Sequence, residues 1–129
     1  MAKITLKYLP NPCRSITQRV VIGGVKIYFI VSMFENGQPG GLSITCDQSG
    51  GSMDGFSEAW AITVSRLLRK GESLRWLIKM FSYQQFEPKG KTDNPDITEA
   101  FSIPDFIVRW LAKHYGESVP PMPIEEIET

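Results

Sequence analysis

Apolar and polar positions alternate in the first third of the chain and recur at helical spacing in the remainder. Ile4, Leu6 and Tyr8 alternate with Lys3, Thr5 and Lys7, the period of a short strand with one wet face. Pro10 and Pro12 end that run, since proline cannot donate to a ladder. A second strand is predicted over 16–22, followed by the two-residue turn signal Gly23-Gly24. Val25 to Phe34 reads as a long central strand whose two faces are both largely apolar, so a cover is expected on each. The turn residues of 35–41 lead to a returning strand, Leu42 to Cys46. These runs predict an antiparallel meander of about four strands within residues 3–46.

A polar, glycine-rich connection (47–55) follows, with Ser52 or Asp54 able to cap the next helix. In that helix, about 56–70, Phe56, Trp60, Val64, Leu67 and Leu68 fall at helical spacing, and Gly71 ends it. Ser73 can cap a second helix, about 73–81, with Leu74, Leu77, Ile78 and Phe81 on one face. A long loop, 82 to about 100, holds Pro88, Gly90 and Pro95. Ser102 can cap a third helix, about 102–115, with Pro104 in its permitted first turn. Phe106, Ile107, Trp110 and Leu111 form its apolar stripe, and Asp105 and Arg109 are spaced for an intrahelical pair. Strands first and helices afterwards predict an α+β fold with three helices packed on one face of the sheet. Residues 1–116 read as one domain and 117–129, rich in proline and glutamate, as an extended tail.

Charge narrows the partners. Fourteen basic side chains balance fourteen acidic ones, so there is no general attraction to DNA, RNA or an anionic membrane. No segment approaches the roughly 18–20 continuous apolar residues that span a bilayer. Cys13 and Cys46 make neither a metal spacing nor a disulfide framework, and His114 is the only histidine. A reduced, cytoplasmic setting is the simplest expectation, with no metal and no cofactor. The central strand and the amphipathic helices leave room for a homo-oligomer.

No catalytic constellation emerges. His114 reads as a helix-end residue, and Glu87, Asp93, Asp96 and Glu99 read as solvated loop acids rather than as a hydrolytic pair. Binding residues are easier to nominate. Ser49, Gly50 and Ser52 lie on a glycine-rich turn before a helix, where backbone N–H groups can meet an anion; a plain linker with a cap is the competing reading. On the long loop Phe86 offers a ring for stacking, Asn94 a carboxamide for a base edge or ribose, and Ser82 and Thr92 hydroxyls. Arg109 can meet a phosphate with two parallel N–H groups. The competing reading makes Phe86 a core plug and Arg109 the partner of Asp105. The basic group Arg66, Arg69, Lys70, Arg75 and Lys79 reads as a solvated face, with an acidic partner surface as the lesser alternative.

An ordered set of short signals runs through residues 16–115. It comprises Ile22-Gly23-Gly24, Glu35-Asn36-Gly37-Gln38-Pro39-Gly40, a Ser/Gly-rich loop ending at Gly55, Phe81-Ser82 and Phe86-Glu87-Pro88 with Gly90 and Thr92. Asn94-Pro95 and Ser102-Ile103 leading to Arg109-Trp110-Leu111 complete it. The set resembles the small C-terminal domain of vitamin B12-dependent (class II) ribonucleotide reductases, the TSCPD domain. The chain does not hold the reductase barrel, and its two cysteines do not form the family's cysteine-rich tail. The resemblance therefore implies a non-catalytic accessory domain that binds a nucleotide-type ligand or a nucleotide-metabolising enzyme. The alternatives are a phage-encoded sponge for cyclic nucleotide or cyclic ADP-ribose signals and a structural subunit without a ligand. The ligand reading expects Phe86, Asn94 and Arg109 around one shared hollow.

Overall fold

The computed structural model describes residues 6–46 and 52–122. Its elements are β1 (Ser15–Ile22), β2 (Val25–Met33), β3 (Pro39–Cys46), α1 (Ser52–Arg69), α2 (Leu74–Phe81), β4 (Gly90–Lys91), β5 (Glu99–Ala100) and α3 (Ile103–Tyr115). The α+β class and the three helices agree with the hydrophobic pattern. The meander has three strands, ordered β1-β2-β3 and antiparallel throughout.

The expected fourth strand is not seen among the described residues. Residues 6–8 are not strand, and 3–5 lie outside the described residues. The segment instead meets the end of α1: the Lys7 N–H donates to the Arg69 carbonyl at 2.7 Å, and Arg69 Nε donates to the Lys7 carbonyl at 3.1 Å. The last carbonyls of a helix have no intrahelical donor, and an extended segment can supply one as well as it can extend a sheet. The long loop in turn contains a two-stranded ribbon, β4 against β5, that the pattern did not predict.

The sheet buries one face. Val20, Ile22, Ile27, Phe29, Val31, Leu42 and Ile44 point into the core. On the other face Tyr28 and Ile30 remain about 40% and 38% exposed, so the two-sided cover expected of β2 is not present among the described residues. Phe29 anchors α3 across the inner face, edge-on to Phe106 at 6.1 Å and to Trp110 at 5.1 Å.

α1 runs along β3, closing its outer edge. Ser65 Oγ accepts from the Leu42 N–H at 2.8 Å and lies 2.8 Å from the Ala61 carbonyl, while Asp54 Oδ1 accepts from the Cys46 N–H at 3.3 Å. Asp54 thus serves the strand instead of capping its helix. Ser65→Ala leaves the Leu42 N–H without its acceptor, with an expected loss of about 1–3 kcal/mol. Chemical denaturation of the variant checks this; an unchanged midpoint would mean that water reaches the strand edge.

The other helix ends follow the sequence signals. Ser73 Oγ accepts from the Trp76 N–H and Ser102 Oγ from the Asp105 N–H, both at 3.1 Å. Gly116 closes α3 at φ 71°, the left-handed conformation that glycine adopts without strain. Beyond it, the Pro120 carbonyl accepts from the Tyr83 hydroxyl at 2.8 Å, and residues 123–129 lie outside the described residues.

Two buried side-chain polar atoms among the described residues, Trp60 Nε1 and the Tyr115 hydroxyl, have no hydrogen-bond partner. Burial raises the pKa of the Tyr115 hydroxyl above the ordinary 10.0. Tyr115→Phe deletes that hydroxyl at nearly constant shape, so a gain of about 1 kcal/mol is expected. A phenol with a raised folded-state pKa contributes fully below pH 10 and loses that contribution as pH climbs through the folded value. Wild-type stability should therefore fall above pH 10 by more than that of Tyr115→Phe, as denaturation midpoints on both sides of pH 10 would reveal.

Candidate functional site

The loop that follows α2 is fixed from both ends by one carboxylate. Asp105 is fully buried in the first turn of α3. Its Oδ1 accepts from the Tyr83 N–H at 2.5 Å and from Arg109 Nε at 2.9 Å. Its Oδ2 accepts from the Phe101 N–H at 2.9 Å and from Arg109 Nη2 at 2.7 Å. Tyr83 and Phe101 bracket the loop, so both of its ends are tied to one helix. Arg109 also donates to the Glu99 carbonyl at 2.6 Å and lies over the Tyr83 ring at 5.2 Å. Its guanidinium is committed to this network, which is the structural reading of Arg109 rather than the phosphate-binding one.

Most of the other nominated polar groups are also engaged internally. Ser82 Oγ donates to the Ile78 carbonyl at 2.5 Å at the end of α2. Thr92 Oγ1 donates to the Ile97 carbonyl and accepts from the Asn94 N–H at 3.1 Å. Asn94 Oδ1 accepts from the Asp96 and Ile97 N–H groups at 2.9 and 3.1 Å, a side-chain turn that holds residues 94–97. Ser49 and Gly50 lie outside the described residues, and Ser52 opens α1.

Phe86 is different. Its N–H donates to the Phe101 carbonyl at 3.0 Å, which fixes the backbone, yet its ring stays about 48% exposed. The ring is not a core plug. It stands at a hollow of about 320 Å³ between the first half of α1, residues 84–88 and the start of α3. Phe56, Trp60, Pro88 and Ile103 supply further apolar wall, and Ser57, Gln84 and Glu87 are the polar side chains there. Phe56 is about 78% exposed, although its spacing had placed it in the core stripe of α1. No lysine or arginine lines this hollow among the described residues, so it offers nothing to neutralise a phosphate.

Phe86, Asn94 and Arg109 therefore do not surround one hollow. Phe86 lines the apolar groove, Asn94 lines a separate hollow beside α3, and Arg109 is spent on Asp105. Phe56 and Trp60 are the groove residues that sequence reasoning assigned to packing alone.

The Cys46 thiol is buried, and burial pushes its pKa up; a contact to Ser57 opposes this and the Asp54 carboxylate adds to it. A thiol held in its neutral form is a poor nucleophile. Among the described residues no three His, Cys, Asp or Glu side chains come together to hold a metal ion. No helix among them is long and apolar enough to cross a membrane.

The TSCPD domain family matches residues 4–115, nearly the whole described chain. This protein belongs to the TSCPD domain family. The vitamin B12-dependent ribonucleotide reductase of Rhodopirellula baltica is 34% identical over 103 residues, covering 80% of this chain and 10% of that protein. The enzyme of the same name from Streptomyces avermitilis is 33% identical over 106 residues, covering 82% of this chain and 11% of that protein. For that of Bradyrhizobium diazoefficiens the figures are 32% over 108 residues, 83% and 9%. This TSCPD chain thus spans about a tenth of the length of the curated relatives it matches. No solved structure matches it.

Proposed function

We propose that this TSCPD chain is a non-catalytic accessory module that docks on a nucleotide-reducing enzyme through the groove walled by Phe56, Trp60 and Phe86. The observation that carries the reading is the pair of phenyl rings lining an apolar hollow, Phe56 on α1 largely in solvent and Phe86 on the fixed loop about half exposed. Exposed aromatic rings are costly to leave in water and are enriched where proteins bury surface against one another. Among the described residues no lysine or arginine lines the groove, which suits an apolar side chain from a partner better than a free phosphate ester. The similarity to vitamin B12-dependent ribonucleotide reductases supports choosing a partner of that kind.

The test uses a B12-dependent ribonucleotide reductase from which the matching domain has been deleted. Sedimentation velocity with the wild-type chain should show a saturable complex. The double variant Phe56→Asp/Phe86→Asp, with an unchanged melting temperature, should bind at least tenfold more weakly. Absence of a complex with the wild-type chain, or equal binding by the folded double variant, would overturn the reading.

A further inference from the structure

A second hollow, of about 460 Å³, lies between β1, the 94–97 turn and the last turns of α3. We propose that it binds a flat ring bearing a hydrogen-bonding edge and a negatively charged group. The inference is independent of the docking groove, which lies on other residues.

The floor of the argument is an aromatic platform. The Trp110 and His114 rings stack within 7° of parallel at 5.0 Å. Trp110 in turn meets Phe29 of the core edge-on at 5.1 Å, so the pair is anchored while His114 stays exposed. A planar stack beside polar groups suits another planar ring, because ring faces attract irrespective of the ring's identity.

The polar groups are complementary and partly fixed. The Asn94 carboxamide is oriented by the two N–H groups that its oxygen accepts, which leaves Nδ2 as a donor without a protein acceptor among the described residues. Gln18 Nε2 donates to the Arg19 carbonyl at 2.8 Å, which leaves Oε1 as an acceptor. One preset donor and one acceptor on the same hollow match a heterocycle edge that carries the converse pair. Charge comes from Lys113, whose Nζ is 3.2 Å from Asp96 Oδ1. Both side chains of that pair are more than half exposed, so it contributes little, and the ammonium is able to turn to a ligand anion. The Asp96 carboxylate opposes the same anion and partly offsets the pull of the ammonium. The volume falls within the about 300–1,000 Å³ of small-molecule sites.

Two ligand sources share this chemistry: nucleoside 5′-monophosphates and heteroaromatic carboxylates. The experiment titrates the ¹⁵N-labelled chain with AMP, CMP and orotate, and separately with adenosine and inorganic phosphate, while NMR follows the Trp110 indole N–H and the amides of Ile97 and His114. Saturable shifts with AMP or CMP, or with orotate, are expected and identify the source. Adenosine should bind more weakly than AMP, and phosphate alone should leave the indole unmoved. Lys113→Ala should raise the dissociation constant about tenfold, and His114→Ala should weaken both kinds of ligand. No saturable shift at millimolar ligand, the same shifts with phosphate alone, or undiminished binding by both folded variants would overturn the proposal.

Discussion

Asp105→Ala should remove about 3–5 kcal/mol of folding stability, a fall of roughly 10–20 °C in melting temperature. The carboxylate is fully buried and accepts four hydrogen bonds, two of them from Arg109, whose side chain is only 15% exposed. Its removal strands a nearly buried guanidinium and two backbone N–H groups at once. Breaking one half of such a pair is worse than removing both, because the surviving charge has lost its counter-ion and its water. The double variant Asp105→Ala/Arg109→Ala should accordingly be less destabilised than the two single losses added together, a coupling that a double-mutant cycle reads directly. The damage should also be local. Hydrogen exchange at Tyr83 and Phe101 should quicken more than at the buried amides of β2, since these two N–H groups lose their acceptor. The groove should loosen with them, because Phe86 is held through Phe101. An Asp105→Ala protein within 1 kcal/mol of wild type would mean that the loop is held by other contacts.

This network also measures how far the sequence could be read. The Asp105–Arg109 pair was visible as an i,i+4 spacing, and the caps at Ser73 and Ser102 were visible as hydroxyls before apolar runs. All three are local, and local chemistry is written in neighbouring residues. That Asp105 would be buried was not visible, because two of its donors are amides at Tyr83 and Phe101, at the two ends of a loop. Backbone donors leave no side-chain trace. The β1–β2 hairpin was legible from Gly23-Gly24 and the flanking alternation, whereas the alternation at residues 6–8 misled because it describes any extended chain, paired to a sheet or not. Phe56 misled for a geometric reason. At about 100° per residue it stands roughly 120° around α1 from the line of Ala61, Val64 and Leu68. Its spacing to Trp60 and Leu67, about 40° and 20° away around the helix, made it look like core.

Gly23→Ala is expected to cost about 2–5 kcal/mol, against about 1–2 kcal/mol for Gly24→Ala at the adjoining position. Both glycines have positive φ, 55° and 85°, so each alanine carries backbone strain in the turn between β1 and β2. Their surroundings differ. A Cβ on Gly24 meets nothing within 4 Å, whereas a Cβ on Gly23 would stand 2.3 Å from the Lys89 carbonyl oxygen. That oxygen belongs to backbone and cannot rotate aside like the end of a side chain. Either the hairpin turn or residues 89–91 must move. The Gly23 N–H donates to the Lys91 carbonyl at 3.0 Å, and Ile22 bridges to Thr92, so movement here detaches the loop from the sheet edge. Amide exchange over residues 89–93 should thus rise in Gly23→Ala and stay near wild type in Gly24→Ala, alongside the difference in denaturation midpoint. Equal costs for the two alanines would show that strain in the turn is the whole effect and that the close approach of Lys89 does not constrain the fold.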